Sequence, residues 1–310
     1  MTSPDQVLLS VTMLRPDEKL LLTALRAEGL KAQPLLMEDL AEVVAGHSGP
    51  PALALIRNLS HRDAISVSRR LEHAGVTTLN RASTIETCND KGLQALLFAR
   101  SGIPHPVTRH AFSYDQVRST VAAFGLPSVV KPVSGSWGRG VTKMANAECV
   151  DAWVGGRESA DAGGKLFPVV VQEYIDKPGH DLRVVVVGRT PVVAIQRVSD
   201  DWRTNTHLGA EVRRTEITPE IEKLCGQVVD ALGPGFYGVD LVEDLTTGEL
   251  LVLEVNANPE FARSSALHGV NVAGHLAAYI AQQLSEEHSQ SPVPGLSENR
   301  SGQQLAASAV

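Results

Sequence analysis

Apolar runs and amphipathic stretches alternate over the first hundred residues of the chain. Three strands and two helices are predicted in alternation: strands over residues 6–11, 31–36 and 52–56, and helices over residues 15–28 and 61–74. Strands that alternate with helices are typical of a parallel sheet with helices packed on it. Residues 1–102 are therefore expected to form a small α/β domain.

A further helix is predicted at the end of this domain. Asn89 or Asp90 caps its start, since both side chains can accept hydrogen bonds from the first turn. Gly102 and the following Pro104 end it. The apolar positions of this helix are three leucines, Leu93, Leu96 and Leu97.

The pattern changes after residue 102. Residues 103–175 are predicted to form a small subdomain in which strands flank a glycine-rich loop: 126–132, 141–144 and 167–175. Residues 176–284 are richer in strands, with hairpins over 184–196 and 238–256 and a closing helix over 272–284. Residues 285–310 are rich in Ser, Gln, Pro and Gly, and we expect them to form a disordered tail.

The second hairpin brings two carboxylates face to face. Symmetric pairing about Thr247 places Asp240 opposite Glu254. Alternation then predicts a core face and an opposite face, because successive side chains of a strand point to opposite sides. The predicted core residues are Val239, Leu241, Leu251, Leu253 and Val255, and the opposite face carries Asp240, Glu254 and Asn256 with Val242 and Val252.

Carboxylates directly opposite on paired strands repel each other, with Cβ atoms roughly 4.5–5.5 Å apart. A hard divalent cation offsets that repulsion, and Asp240, Glu254 and Asn256 all supply the oxygen ligands that such a cation prefers. The alternative is a solvated outer face on which the carboxylates point to water. The hairpin alone leaves both interpretations open.

The glycine-rich loop contains Gly135, Gly138 and Gly140 between two β-prone segments. A P-loop or dinucleotide fingerprint runs from a strand into a helix, so this loop matches neither. Glycines still allow backbone N–H groups to approach phosphate oxygens closely. Lys131, on the preceding strand, could reach the same phosphates, although a flexible hairpin turn is the alternative.

Two further segments carry candidate polar chemistry. A strand ends in the residues QEYI at 172–175 and re-enters a strand with Asp181 and Arg183, which suits a hinge that binds a flat heterocycle or a plain link between domains. The segment after it carries four arginines, Arg197, Arg203, Arg213 and Arg214. Individual arginines could bind carboxylate or phosphate oxygens, or the segment could form a charged surface. The surface interpretation suits Arg213 and Arg214 best.

Composition limits the class of protein. The net charge of −7 argues against general binding to nucleic acid or to a membrane surface. The three cysteines are widely spaced and form no CxxC motif, so neither a disulfide framework nor structural zinc is expected. No apolar stretch approaches the ~20 residues that span a bilayer. We expect a cytoplasmic protein.

The order of these features resembles that of the ATP-grasp enzymes over residues 89–280, with a preceding α/β domain. The segments QEYI, DLRVVVVG, WRTN, LEVNANPEF and GVNVAGHLAAYI are similar to the RimK/LysX branch. RimK-type enzymes continue the E-x-N motif as N-A-S-P-G, whereas Asn256 is followed here by Ala-Asn-Pro-Glu-Phe. That form is more similar to the LysX/ArgX-type ligases, which attach an amino acid to the C-terminal glutamate of an amino-group carrier protein.

The resemblance implies an α/β fold, α+β in its catalytic part, in which residues 1–102 form the pre-ATP-grasp domain. It implies an ADP-forming ligase that uses ATP and two Mg²⁺ ions and passes through an acyl phosphate. Such chemistry relies mainly on positioning and charge neutralisation. A RimK-like glutamate ligase acting on a protein tail or coenzyme, and a non-catalytic ATP-binding module, are the alternatives.

The resemblance also assigns roles to individual residues. The predicted ATP-binding residues are Lys91, Lys131, Gly135, Ser136, Trp137, Gly138, Gly140, Gln172, Glu173, Tyr174, Ile175 and, at the ribose, Asp181. The predicted magnesium ligands are Asp240, Glu254 and Asn256. The predicted residues at the acyl phosphate are Arg183, Arg197, Arg203 and Asn205, and those at the acceptor end are Glu260, Phe261, Arg263 and Ser264.

The implied partners are an amino-acid substrate and a small acidic carrier protein, with no nucleic acid and no membrane. Docking of an acidic carrier to a chain of net charge −7 requires a local basic surface. Members of this branch are commonly dimers or tetramers, so a homo-oligomer is expected.

Overall fold

A computed structural model describes residues 3–46, 50–135, 138–160, 166–204 and 209–290 of the chain. The described residues form three four- or five-stranded sheets. No helix among them is both long enough and apolar enough to cross a bilayer.

The first sheet is parallel, as predicted, with the order β2-β1-β3-β4. Its strands are β1 Ser3–Val11, β2 Lys31–Leu35, β3 Pro51–Arg57 and β4 Thr77–Leu79. The helices of this part are α1 Pro16–Ala27, α2 Leu40–Ala45, α3 His61–His73 and α4 Ala82–Asn89. The pattern did not predict β4, α2 and α4, because β4 and α2 are too short to show a period and α4 has few apolar positions.

Helix α5, Lys91–Arg100, follows directly and begins where the sequence predicts. The Asp90 carboxylate accepts hydrogen bonds from the backbone N–H groups of Gly92 and Leu93, which identifies Asp90 as the cap. The three leucines do not form its buried face. Leu93 and Leu96 are exposed, whereas the buried side chains include Ala95 and Phe98.

The second sheet is antiparallel, with the order β5-β8-β6-β7. Its strands are β5 Thr108–Ala111, β6 Ser128–Pro132, β7 Thr142–Met144 and β8 Val169–Glu173. Two helices that the strand-rich interpretation missed complete its core: α6 Tyr114–Phe124 and α7 Ala147–Ala160. Ser113, which caps α6, and the buried pair Val117 and Val121 are the local signals for that helix.

The third sheet is antiparallel, with the order β11-β10-β9-β12-β13. Its strands are β9 His180–Gly188, β10 Thr190–Val198, β11 Glu211–Thr215, β12 Gly235–Glu243 and β13 Leu250–Asn256. Helix α8, Pro219–Leu232, covers one face. Both hairpins predicted in this part are confirmed.

Strand β9 is buried on both faces, which explains its unbroken run of valines. Val184 and Val186 pack in the core under α8, while Val185 and Val187 pack in a core shared with the first domain. That second core includes helix α10, Val272–Gln290, which lies against α1. A short helix, α9 Ala262–His268, precedes α10. The first and third parts of the chain are thus joined by one continuous core.

The register of the β12–β13 hairpin is confirmed at the carboxylates and wrong between them and the turn. Asp240 pairs with Glu254, but the register then shifts and Leu241 pairs with Val252. The extra residue, Leu253, reverses the predicted faces of β13 on the turn side, since a bulge changes the alternation of the strand. Val239, Leu241 and Val255 lie in the core as predicted. Val252 is fully buried in the core, whereas Leu253, predicted for the core, lines a cavity.

The end of the last helix also differs from the prediction. Helix α10 continues to Gln290, six residues past the predicted end at residue 284. Residues 285–290 contain neither proline nor glycine, so nothing in them stops the helix. The predicted tail is therefore helical at its start, and residues 291–310 lie outside the described residues.

Candidate nucleotide and metal site

One cavity is lined by all three parts of the chain. Its walls include the end of β3 and the loop after it, the glycine-rich loop after β6, the segment between β8 and β9, and the facing strands β12 and β13. Most of the predicted site residues lie on these walls. These residues are far apart along the sequence, and the fold brings them together.

The two facing carboxylates form part of the cavity wall. Asp240 is 5% exposed and Glu254 is half-buried, which excludes the solvated outer face. Asp240 binds Arg183 through two hydrogen bonds, from Nε to Oδ1 and from Nη2 to Oδ2, each 2.7 Å long. Glu254 Oε1 lies 3.4 Å from the Lys91 ammonium. Cationic side chains therefore offset the repulsion between the carboxylates.

Arg183 and Arg197 are held as a pair around Asp240. Arg197 Nη2 lies 3.0 Å from Asp240 Oδ2. Burial alone raises the pKa of Asp240, but Arg183 and Arg197 outweigh it and keep the pKa below its ordinary value. Asp240 therefore remains an anionic oxygen donor in this buried wall.

Asp181 orients Arg197. The Arg197 guanidinium donates to both Asp181 oxygens, at 2.6 and 2.8 Å, and the Thr204 hydroxyl donates to the same carboxylate. Asp181 is only 3% exposed. Both carboxylate oxygens are thus engaged within the protein, so in this structure Asp181 positions Arg197, and a contact with ribose stays a prediction.

The two lysines lie on either side of the glycine-rich loop. Lys91 is the first residue of α5, and its ammonium donates to the Gly135 carbonyl at 2.9 Å. Lys131 lies on β6 and contacts the Gln172 side-chain oxygen. Burial lowers the pKa of Lys131 to about 8, and the nearby Glu254 only partly opposes this effect. Both ammonium groups face the cavity.

Backbone conformation makes glycine necessary in the loop. Gly135, Gly138 and Gly140 have φ angles of 143°, 68° and 72°, which other residues rarely adopt. A Cβ on Gly140 would also lie 2.8 Å from the Pro132 ring. The flanking strands β6 and β7 pair antiparallel, as expected for a loop between two strands. The predicted Ser136 and Trp137 lie outside the described residues.

The segment from Gln172 to Ile175 lines the cavity where the chain passes from the second sheet to the third. The Glu173 carboxylate accepts a hydrogen bond from the Val107 backbone N–H at 2.6 Å. Lys143 Nζ lies 3.6 Å from the centre of the Tyr174 ring, and the Trp202 ring lies 6.3 Å from it. The apolar side chains of Val242 and Leu253 also line the cavity.

The arginine loop divides as expected. Arg203 lines the cavity, with its Nε 3.2 Å from Asp201 Oδ1. Arg213 and Arg214 are exposed on β11, and Arg213 pairs with Glu211 at 2.9 Å. The predicted Asn205 lies outside the described residues.

Of the four residues predicted for the acceptor end, only Glu260 lines the cavity. Phe261 is 1% exposed and packs edge-on against Phe236 in the core, so its assignment to the substrate was wrong. Its backbone N–H donates to the Asp17 carboxylate, which holds the residue in that orientation. Ser264 is also buried, and Arg263 points to the surface.

Comparison with known proteins identifies the architecture. Residues 88–280 match the RimK-like ATP-grasp domain family, and residues 7–87 match the LysX preATP-grasp domain family. The chain belongs to the RimK-like ATP-grasp family. The first match begins at the end of α4 and includes Lys91, the glycine-rich loop and both facing carboxylates.

The similarity to relatives extends along nearly the whole chain. The α-aminoadipate–LysW ligase LysX of Sulfolobus acidocaldarius is 32% identical over 268 residues, which are 85% of this chain and 96% of that protein. The glutamate–LysW ligase ArgX of Sulfurisphaera tokodaii is 30% identical, covering 91% of this chain and all of that protein. The crystal structure of a RimK-domain ATP-grasp protein from Sphaerobacter thermophilus has a TM-score of 0.72 at 27% identity, covering 88% of this chain and 98% of that one.

The protein is thus an ATP-grasp ligase that uses ATP and forms carbon–nitrogen bonds with release of ADP. The ATP-grasp ligase PsnB, whose structure was solved with Mg and ADP, shares the fold, with a TM-score of 0.69 at 22% identity over 92% of this chain and all of that one. The residues of this cavity fit a magnesium ion. Among the described residues, no group of three His, Cys, Asp or Glu is arranged to hold an ion by itself. Magnesium typically takes one or two carboxylates and completes its ligands with water and phosphate oxygens, and Asp240, Glu254 and the Asn256 amide offer such oxygens in one wall. Both Asp240 oxygens are engaged by Arg183 and Arg197 in this structure, so its role as a magnesium ligand stays a prediction.

The sequence interpretation missed the part of the cavity contributed by the preATP-grasp domain. Arg15, Asn58 and Leu59 line it from the loops that follow β1 and β3, and His61 lines it from the start of α3. Both loops lie at the carboxyl edge of the parallel sheet, where ligands of α/β domains usually bind. The predicted carboxyl ends of β1 and β3 were therefore the sequence feature that could have pointed to this wall of the cavity.

Proposed function

We propose that this ligase joins an amino acid to the C-terminal glutamate of an amino-group carrier protein. The observation that carries the proposal is the cavity itself, because its ATP-grasp walls meet a wall from a LysX-type preATP-grasp domain. The relatives similar along nearly the whole chain are ligases of LysW, the carrier protein named with them.

The proposed reaction has two steps. A carboxylate of the carrier attacks the γ-phosphorus of ATP, which forms an acyl phosphate and releases ADP. The amine of the amino acid then attacks the acyl carbon, loses a proton and displaces inorganic phosphate. The protein contributes position and charge, since both steps develop charge on phosphate and acyl oxygens.

Each wall of the cavity has a part in this scheme. Lys91 and Lys131 bind the phosphates, and the glycine-rich loop covers them with backbone N–H groups. The segment 172–175 binds adenine. Asp240, Glu254 and Asn256 would hold two Mg²⁺ ions, which supply charge neutralisation at the phosphate oxygens when bound.

The arginines of the third sheet complete the scheme. Arg183, Arg197 and Arg203 face the same cavity and steady the acyl-phosphate oxygens. Asp181 keeps Arg197 in place through its two hydrogen bonds. Such preorganised donors stabilise charge that develops during the reaction.

Nucleotide binding is expected to take up a proton just above pH 8. The pKa of Lys131 is about 8 in the free protein, and phosphate binding favours the charged ammonium. Affinity for ATP should therefore fall as pH rises through 8 and 9, by up to about tenfold per unit. Calorimetry in two buffers of different ionisation enthalpy measures the proton, and Lys131→Arg should remove the uptake. Identical heats in both buffers for the wild-type protein would contradict this assignment.

The experiment that tests the function uses intact mass. The enzyme is incubated with ATP, Mg²⁺, candidate acidic carrier proteins and a panel of amino acids. A carrier whose mass increases by one amino-acid residue, with stoichiometric ADP, supports the proposal. Growth of a glutamate chain on another protein, with every carrier unchanged, supports instead the RimK-like alternative that the domain match also allows.

A non-catalytic module is disfavoured by the site itself. Lys91, Lys131, Asp240, Glu254 and Asn256 are all present in one cavity.

We also propose a cytoplasmic homo-oligomer, either a dimer or a tetramer, which light scattering on the purified protein distinguishes from a monomer.

A further inference from the structure

One end of the cavity, past Asn256, lies between two parts of the chain. On one side lie Arg15 and Asn58, from the loops after β1 and β3. On the other lie Asn258 and Glu260, from the loop after β13. Asn258 Nδ2 donates to the Asn58 carbonyl at 2.9 Å, and Arg15 Nη1 donates to Glu260 Oε1 at 3.0 Å. The two sides are thus held within the reach of one small molecule.

Two buried amide atoms at this end lack partners. Asn58 is 1% exposed, yet its Nδ2 finds no hydrogen-bond partner among the described residues, and neither does Asn258 Oδ1. The Asn258 orientation is fixed because its Nδ2 meets a carbonyl, which can only accept. The Asn58 Oδ1 accepts from the Ser10 hydroxyl at 2.8 Å, which leaves Nδ2 as the unused donor. Buried polar groups normally have partners, so one donor and one acceptor are available for a ligand.

The ion pair between Arg15 and Glu260 can break while Glu18 still holds Arg15 in place. Glu18 holds the other edge of the Arg15 guanidinium, with Nη2–Oε1 at 2.8 Å and Nε–Oε2 at 3.0 Å. Glu260 is 62% exposed at its side chain, and exposed ion pairs contribute little stability. A carboxylate from a ligand can therefore replace Glu260 on Arg15, and this frees Glu260 to accept from a cation.

The geometry points to this end as the site that binds the head group of the acceptor amino acid. Arg15 Nη1 and Asn58 Nδ2 bind the α-carboxylate, and Asn258 Oδ1 and Glu260 bind the α-amino group. Donors thus meet the anionic end and acceptors meet the amine, which lies beside the loop that follows the proposed metal ligand Asn256. The assignment rests on the proposed function, because it needs an amino acid as the nucleophile.

Binding of amino-acid analogues tests the orientation. Calorimetry with the enzyme and Mg-ADP first finds which of the standard L-amino acids and L-α-aminoadipate bind. For a binder such as glutamate, conversion of the α-carboxylate to an amide, or removal of the α-amino group, should each weaken binding by at least about tenfold. Amidation of the side-chain carboxylate should cost less. An α-amide that binds as well as its parent, or no binding by any amino acid, overturns the assignment.

Variants test the residues. Arg15→Lys and Asn258→Ala should each raise KM for the amino acid by about tenfold or more, with KM for ATP unchanged. A purely structural role would instead lower kcat or the melting temperature without this split. Arg189→Lys, on the far surface with Asp230, is the matched control and should behave as wild type. Unchanged KM for the amino acid in both variants overturns the inference.

The experiments can contradict the proposed function and the head-group site independently of each other. If a carrier gains an amino acid but the α-amide is as good a substrate as its parent, the proposed function stands and this head-group site falls. If no carrier gains mass with any amino acid, the proposed function falls, whatever the analogues show.

Discussion

Replacement of Glu254 by glutamine is expected to lower ATP-dependent phosphate release by at least about a hundredfold. Glu254 faces Asp240 across paired strands and lies 3.4 Å from the Lys91 ammonium in the cavity wall. Glutamine preserves the shape of the side chain but removes the anionic oxygen that would hold a divalent cation against the phosphates. A coupled phosphate assay measures the loss, and circular dichroism checks that the fold is retained.

The same hairpin offers a matched control. Glu249 lies on the exposed turn between β12 and β13, outside the cavity. Glu249→Gln removes the same charge from the same hairpin and should leave phosphate release unchanged. Turnover of Glu254→Gln at the wild-type rate would refute the metal-ligand assignment, and equal losses in both variants would indicate a general effect on the hairpin.

The facing carboxylates were predicted correctly by a count that fails nearer the turn. Symmetric pairing about Thr247 places Asp240 opposite Glu254, as in the structure. Next to the turn, however, Glu243 pairs with Leu250 and Leu241 with Val252, and the extra residue Leu253 restores the predicted pairing at Asp240. Val252 packs in the core with Leu241 and helix α8, which lies elsewhere in the chain, so local sequence did not predict this bulge.

The cations around the carboxylates depend on longer-range pairing. Asp240 meets Arg183 because β12 pairs with β9, and it meets Arg197 because β10 pairs with β9 in turn. The family resemblance assigns both arginines to the acyl phosphate and implies no protein partner for either. The structure shows that they bind Asp240 and Asp181, so the arginines and the carboxylates form one network.

Phe261 was assigned to the substrate wrongly, although the motif that contains it was identified. The motif that places it beside Glu260 says nothing about direction, and consecutive residues of an irregular loop can point to different sides. Glu260 reaches the cavity, whereas Phe261 packs in the core under Arg57 and Phe236. A motif can therefore locate a loop at the acceptor end and still misassign most of the side chains near it.

Arg57 links the preATP-grasp domain to that loop. It lies at the end of β3, and its side chain has no exposed surface. The guanidinium donates one hydrogen bond to Glu18 Oε1 at 3.1 Å and another to the Pro259 carbonyl at 2.9 Å. Pro259 stands between Asn258 and Glu260, the two loop residues that line this end of the cavity. The buried guanidinium is therefore one of the contacts that fix the acceptor end, together with the Asn258–Asn58 and Phe261–Asp17 hydrogen bonds.

Stability near this guanidinium should depend on acid pH. Burial alone raises the pKa of Glu18, but Arg15 and Arg57 outweigh it, and the pKa lies below its ordinary value of 4.5. The folded state thus holds this carboxylate ionised more strongly than the unfolded state does. The resulting stabilisation is fully present above pH 4.5 and is lost as pH falls through the lowered pKa.

Arg57→Leu is expected to cost about 3–5 kcal/mol in the free energy of unfolding, because it leaves the Glu18 carboxylate buried with one partner fewer. Urea unfolding followed by circular dichroism measures the change at pH 7. Glu18→Leu in the same background removes the stranded charge and should recover part of the loss, since an apolar pair often replaces a buried ion pair without cost. Arg189→Leu breaks the exposed pair with Asp230, whose side chains are 63% and 70% exposed, and should cost less than about 1 kcal/mol. Equal losses for Arg57→Leu and Arg189→Leu would show that Arg57 does not hold the acceptor loop on the first domain.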